Sequence, residues 1–298
     1  MKPERLLNGG VPRPPFRNGS GYRAQAGRDI RRSEGTPVSS ATTSDRTATQ
    51  WVRSTVVPPV RWDPRALWAV AAAVLAGAAA LGLADGVGEH SDLSSYDPTV
   101  TASVVADRSG PLTALAQVLT FIGSEVSVGV LTVLVLAWLV WRRRAWRTAF
   151  LFGATMTVGA VATLVVKHVV ARTRPPASVM LGPLDTGFSF PSGHTTYSTV
   201  FFGLVAALLL ARRIGVAQRV GIVLAWVLAS GGVGLSRLYL GYHWMTDVLA
   251  GWSLATAVLA LGAAVVLLTR PPAQGSRPDQ ADDLDDLNDR DQNTRVPA

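Results

Sequence analysis

Cysteine is absent from the 298-residue chain, which excludes a disulfide framework, a thiolate metal site and a cysteine nucleophile. Charge is scarce as well. Asp, Glu, Lys and Arg make up 16% of the residues, against about a quarter in a water-soluble domain. Lysine occurs twice, arginine 26 times and histidine four times. What abounds is apolar: 48% of the residues fall in the hydrophobic set. The net charge of +8 would suit a polyanion binder, so the position of the charges decides what the total means.

Most of that charge lies outside the apolar region. Residues 1–65 hold twelve basic and five acidic residues and are rich in Pro, Gly, Ser and Thr. Such a stretch cannot bury enough apolar surface to offset its chain entropy, so it reads as a disordered basic tail. No apolar run follows its first charges, which excludes a signal peptide. Residues 271–298 open with Pro271-Pro272 and carry seven Asp against three Arg, a disordered acidic tail. A cytoplasmic basic tail is expected to attract anionic lipid headgroups rather than nucleic acid.

Between the tails, residues 66–270 form the predicted membrane domain. Ala66–Leu83, Val126–Trp141, Thr148–Val166, Thr195–Ala211, Val220–Ser236 and Val248–Thr269 are uncharged and strongly apolar. A spanning helix needs about 20 apolar residues. The fold class expected is therefore all-α, a six-transmembrane-helix bundle. Leu112–Trp141 carries one charge, Glu125, yet a continuous helix there would run about 45 Å, longer than the roughly 30 Å hydrocarbon core. The break at Gly123-Ser124-Glu125 predicts a short interfacial helix from Pro111 ahead of the second span.

Arginine sets the expected orientation. Arg142, Arg143, Arg144 and Arg147 lie between spans two and three, and Arg212, Arg213 and Arg219 between spans four and five. Arg61 and Arg65 precede span one and Arg270 follows span six, whereas the 86–111 loop carries four acids and one Arg. The positive-inside rule puts both termini in the cytoplasm of a multi-pass cell-membrane protein. The loops after spans one, three and five then face outward.

Those outward loops hold three polar clusters. Lys167-His168-Val169-Val170-Ala171-Arg172-Thr173-Arg174-Pro175 ends span three, and Pro191-Ser192-Gly193-His194 opens span four. Between spans five and six come Ser236-Arg237, then His243, then Asp247. Lys167, Arg174 and Arg237 are three cations at one membrane face, suited to a multiply charged anion. The Pro-Ser-Gly-His turn would offer backbone N–H groups and a helix dipole, with Gly193 allowing close approach. His243 and Asp247 are four apart, so on a helix starting near Gly241 they would share a face. A carboxylate there fixes the imidazole tautomer and leaves its other nitrogen as nucleophile or base. His194 is then available as general acid.

Each feature alone has a plainer reading. A cation at a span end snorkels, and Pro-Ser-Gly before a helix serves as turn and N-cap. His90 and His168 are read as structural, Glu125 and Asp185 have no partner that the sequence identifies, and Gly231, Gly232 and Gly234 serve packing of span five. What distinguishes the clusters is that all three fall on one membrane face.

Together they resemble the type-2 phosphatidic acid phosphatase superfamily of integral-membrane lipid phosphatases. Its signature is Lys, six residues, Arg-Pro; Pro-Ser-Gly-His; and Ser-Arg, five residues, His, three residues, Asp. Lys167 with Arg174-Pro175, Pro191 to His194, and Ser236-Arg237 with His243 and Asp247 match every position. The resemblance implies catalysis through a phosphohistidine on His243, supported by Asp247, with His194 protonating the leaving group. Lys167, Arg174, Ser192, Gly193 and Arg237 would hold the phosphoryl oxygens. It implies a lipid phosphate or diphosphate substrate, no metal and no other cofactor, and no carboxylate cluster beyond Asp247 offers a metal site. The Pro176–Phe190 linker, with Asp185, is the expected specificity loop. Vanadium haloperoxidases share the constellation, but six spans argue against that activity. The non-enzymatic alternative is a lipid-binding or transport protein with a retained phosphate site.

Overall fold

The computed structural model describes residues 63–89 and 91–269. The predicted tails 1–65 and 271–298 lie outside these residues except at 63–65, as do Arg61, His90 and Arg270. Eight α-helices and no strand occur among the described residues. They are α1 (Pro64–Glu89), α2 (Asp97–Ala106), α3 (Gly110–Ile122), α4 (Glu125–Ala137), α5 (Trp146–Val170), α6 (Gly193–Leu210), α7 (Val216–Tyr239) and α8 (Met245–Leu268). One π-helical turn, Trp138–Arg142, extends α4. Six helices are long and apolar enough to cross a membrane: α1, α4 with its π turn, and α5 to α8. The six-span reading therefore stands.

Local chemistry sets the helix starts. The Asp63 carboxylate accepts the Arg65 N–H at 2.9 Å as α1 begins. Ser124 separates α3 from α4: it is extended, and its hydroxyl accepts the Ser127 N–H at 3.2 Å as an N-cap. The Gly123-Ser124 break thus falls where the sequence places it, and α3 is a distinct helix that packs on α7. Two predicted boundaries differ usefully. α5 continues past Val166 to Val170 and α7 past Ser236 to Tyr239, which makes Lys167 and Arg237 helical. The 86–111 segment, read as a loop, contains a 3-10 turn (Asp92–Tyr96) and all of α2.

α6 is the most enclosed span, with half of its apolar window buried, against 6% for α1. Apolar side chains gain little by leaving lipid for protein, so close approach of helices depends on small residues. Gly159 of α5 lies against Val200 and Val258, and a side chain on Gly203 of α6 would meet Leu259 and Trp226. Phe152 and Phe201 join α5 to α6 edge to face, their centroids 6.0 Å apart. Hydroxyls inside the spans bond back into their own helices, Thr155 to Leu151 O and Thr163 to Gly159 O at 2.8 Å each. Trp68 and Leu75 of α1 are exposed on its lipid-facing side. The bundle brings the C-terminal ends of α5 and α7 together with the N-terminal ends of α6 and α8, and the polar clusters meet there.

Candidate active site

Ala171 ends α5 in the left-handed conformation (φ 47°, ψ 35°), and the chain then runs through Arg172 and Arg174. α6 starts at Gly193 with Ser192 as N-cap, fully buried, its hydroxyl accepting from Thr195 Oγ1 at 2.9 Å. α7 ends at Tyr239, and Gly241 turns the chain at φ +80° toward His243.

His243 does not lie on a helix. α8 begins at Met245, so the expected sharing of one helical face with Asp247 is corrected. Asp247 occupies the first turn of α8 and folds back over its start, accepting the Trp244 N–H at 3.0 Å. The same oxygen, Oδ2, lies 3.2 Å from His243 Nδ1. The pair forms across a helix N-terminus because the carboxylate caps free N–H groups there.

On its other side, His243 Nε2 lies 3.1 Å from Arg174 Nη1. An arginine only donates, so Nε2 is the acceptor and Nδ1–H donates to Asp247, which assigns the neutral tautomer from the network. Burial and the positive charges of Arg237, Arg174 and Lys167 hold the His243 pKa well below its ordinary value. The result is a neutral imidazole with its Nε2 lone pair directed toward the cationic cluster.

The cations are held by backbone carbonyls, a threonine hydroxyl and one carboxylate. Arg174 donates from Nε to Gly187 O and from Nη1 to Tyr242 O, both at 2.8 Å, and its Nη2 is 2.9 Å from Asp185 Oδ2. Burial lowers the Arg174 pKa, opposed by Asp185. Arg237 lies over the Tyr242 ring at 4.2 Å, donates to Thr120 Oγ1 at 2.8 Å, and comes within 3.9 Å of Asp185 Oδ2. Its Nε is buried without a partner. Lys167 Nζ donates to Phe188 O at 2.6 Å.

A cavity of about 1000 Å³ opens onto this cluster. Of the residues singled out from sequence, Lys167, Arg174, Gly193, His194 and His243 line it. Arg237, Ser192 and Asp247 are buried behind the wall. The His194 ring has no hydrogen-bond partner among the described residues, and His194 lines the cavity. The cavity also descends between α4 and α5 past Leu164 and Ala160 to Met156, about 16 Å along α5 from Lys167. On the α4 side its wall runs from Val126 and Val128 near the site down to Thr132. A polar pocket at the helix ends thus continues into a mostly apolar groove within the membrane span, with Thr132 and Thr157 among its walls.

The partners of several participants were not identified from sequence. Asp185 bridges Arg174 and Arg237, and Glu125 lines the cavity beside Gly193. Arg172 binds Asp247, and Asp97 binds Arg172, each at 2.7 Å. Arg172 stands inside the first cluster and was available to inspection; nothing near Asp97 distinguishes it. His168 binds its own helix at Leu164 O (2.8 Å) and also lines the cavity, while Gly234 lies against Trp252 and Val248, in keeping with a packing role.

A family model described as the PAP2 superfamily matches residues 148–270. The chain is 34% identical to decaprenylphosphoryl-5-phosphoribose phosphatase of Mycobacterium tuberculosis over 163 residues, 53% of this chain and 82% of the relative. It is 27% identical to phosphatidylglycerophosphatase B of Bacillus subtilis over 171 residues, 57% of this chain and 82% of the relative. The crystal structure of a transmembrane PAP2-type phosphatidylglycerolphosphate phosphatase from Bacillus subtilis superposes with a TM-score of 0.62 at 24% identity, covering 68% of this chain and 99% of the other.

Proposed function

The chain belongs to the PAP2 superfamily and is a membrane lipid phosphatase, and from that premise we propose a metal-independent hydrolase of a lipid phosphate or diphosphate that works through a phosphohistidine on His243. The carrying observation is the single cavity in which Lys167, Arg174, His194 and His243 meet above a groove between α4 and α5. A phosphate would occupy the cationic end and its lipid chain the groove. Substrates of the phosphatidate, phosphatidylglycerophosphate and polyprenyl phosphate or diphosphate types fit that shape. The names of the relatives, which act on a decaprenyl-linked sugar phosphate and a phosphatidylglycerol phosphate, fall in the same range.

In the proposed reaction, His243 Nε2 attacks phosphorus and the bond from phosphorus to the leaving oxygen breaks. His194 delivers a proton to that oxygen. Water then attacks phosphorus while His194 takes a proton from it, the phosphorus–nitrogen bond breaks, and inorganic phosphate leaves with His243 restored. Phosphoryl transfer needs positioning and charge stabilisation more than covalent help from the protein. Lys167, Arg174, Arg237 and the N–H groups opening α6 would supply both, with Asp247 balancing the charge gained by the imidazole. We assign this activity to residues 66–270, with the site at the outer face. The arginines Arg142, Arg143, Arg144, Arg212 and Arg213 flank the span ends opposite the site, which supports that orientation by the positive-inside rule.

The test is phosphate release from phosphatidate, phosphatidylglycerophosphate and a polyprenyl diphosphate by purified protein in detergent with EDTA. His243→Ala and His194→Ala are expected to lose turnover. Wild-type turnover in either variant would overturn the assigned roles.

A further inference from the structure

We propose that Asp97 and Arg172, neither of them a motif residue, are positioning residues that hold Asp247, and through it His243, in the reactive geometry. Asp97 opens α2, some 150 residues before Asp247 in the chain, and is 1% exposed. Its Oδ1 accepts the Thr246 N–H at 3.0 Å, and its Oδ2 accepts from Thr246 Oγ1 and from Arg172 Nη2, the latter at 2.7 Å. Arg172 Nη1 donates to Asp247 Oδ1 and to Thr246 Oγ1, each at 2.7 Å. The Arg172 guanidinium also lies 5.5 Å from the Trp244 ring centroid.

These contacts leave Asp247 one orientation. Its Oδ1 is held by Arg172, while Oδ2 is shared by the Trp244 N–H and His243 Nδ1. Without Arg172, a fully buried carboxylate would lose its arginine partner, and it could rotate away from the imidazole. Without Asp97, Arg172 would lose one of its two anions, and the Thr246 N–H and hydroxyl in the first turn of α8 would lose their carboxylate acceptor. The fork geometry of arginine suits this bridge: one nitrogen serves each carboxylate, which a lysine cannot reproduce. The charge count agrees. With His243 neutral, Asp97, Arg172 and Asp247 sum to one negative charge, which the imidazole compensates when it gains positive charge on bonding to phosphorus. The relay reaches His243 from the side away from the cavity, so its loss should slow the chemical step more than it weakens binding.

This inference rests on the phosphohistidine reading, so both are tested in one set of variants with the purified full chain. Asp97→Asn and Arg172→Lys are expected to lower kcat by about 10- to 100-fold, the usual cost of removing an orienting partner, with KM changed less. The deciding readout is a double-mutant cycle with Asp247→Asn. If Asp97 acts through Asp247, the double variant turns over no more slowly than Asp247→Asn alone. Fold-losses that multiply would show an independent structural effect and overturn the proposal, as would wild-type kcat in both Asp97→Asn and Arg172→Lys. Should Asp97→Asn fail to accumulate, the Arg172→Lys cycle decides the matter. Turnover in His243→Ala would sink the parent reading. An inactive His243→Ala beside unaffected Asp97 and Arg172 variants would sink only the positioning roles.

Discussion

Asp185 bridges the two guanidinium groups assigned to phosphate, so Asp185→Asn should tighten anion binding. The carboxylate lies 2.9 Å from Arg174 Nη2 and 3.9 Å from Arg237 Nη2. A phosphate entering between them has to displace or compete with that charge. A hydrogen bond to a charged group contributes about 1.5–3 kcal/mol, but the Asp185 side chain is 38% exposed. Solvent screening brings the expected value to about 1 kcal/mol, which corresponds to about a fivefold change in a binding constant. Asparagine keeps an oxygen for the Gly187 N–H, which reaches Asp185 Oδ1 at 3.4 Å, so the loop retains that bond while losing the charge. The assay is inhibition of lipid phosphate hydrolysis by inorganic phosphate and by orthovanadate. Both inhibition constants should fall about fivefold in Asp185→Asn, and the effect should shrink as salt is raised. Unchanged or weakened inhibition would refute the idea that Asp185 competes with phosphate.

Four further outcomes are expected. Because burial and three cations depress the His243 pKa, the neutral nucleophile persists as pH falls through its ordinary value of about 6.5. The acid limb of kcat/KM set by His243 should therefore lie below that pH and move upward in Arg174→Gln; a limb at or above it in the wild type would contradict the buried, cation-flanked geometry. The same depression means that only the unfolded chain takes up this proton near pH 6, so the stability it contributes is present above about pH 6.5 and lost as the pH falls further; thermal unfolding across that range checks the sign. Gly241→Ala should lower the unfolding temperature and the activity together, because φ is +80° there and a Cβ would collide with the Val179 carbonyl; this backbone conformation alone costs about 1–3 kcal/mol. The absence of cysteine allows a topology test: a membrane-impermeant maleimide applied to intact cells should label Thr186→Cys and spare Arg213→Cys, and the reverse pattern would invert the proposed orientation.

Much of the protein was legible in its sequence. Moving an apolar run from water into lipid is a local free-energy term that depends on residues adjacent in the chain, so six spans and the break at Ser124 followed from composition and capping chemistry. Arginine placement set the expected topology for the same reason. The motif spacings brought out Lys167, Arg174, His194, His243 and their neighbours, and five of them line one cavity. Only the tertiary structure decided how those groups are wired. It placed His243 ahead of α8, carried Asp97 from a presumed loop to Arg172 and Thr246, and set Asp185 between two arginines. Arg108 shows the scale involved: it donates to Tyr239 O and Val179 O, tying the segment before α3 to the end of α7 and the site loop. Hydropathy and spacing encode which segments cross the membrane, whereas the partner of a buried charge depends on which helix ends the packed bundle brings within about 3 Å of each other.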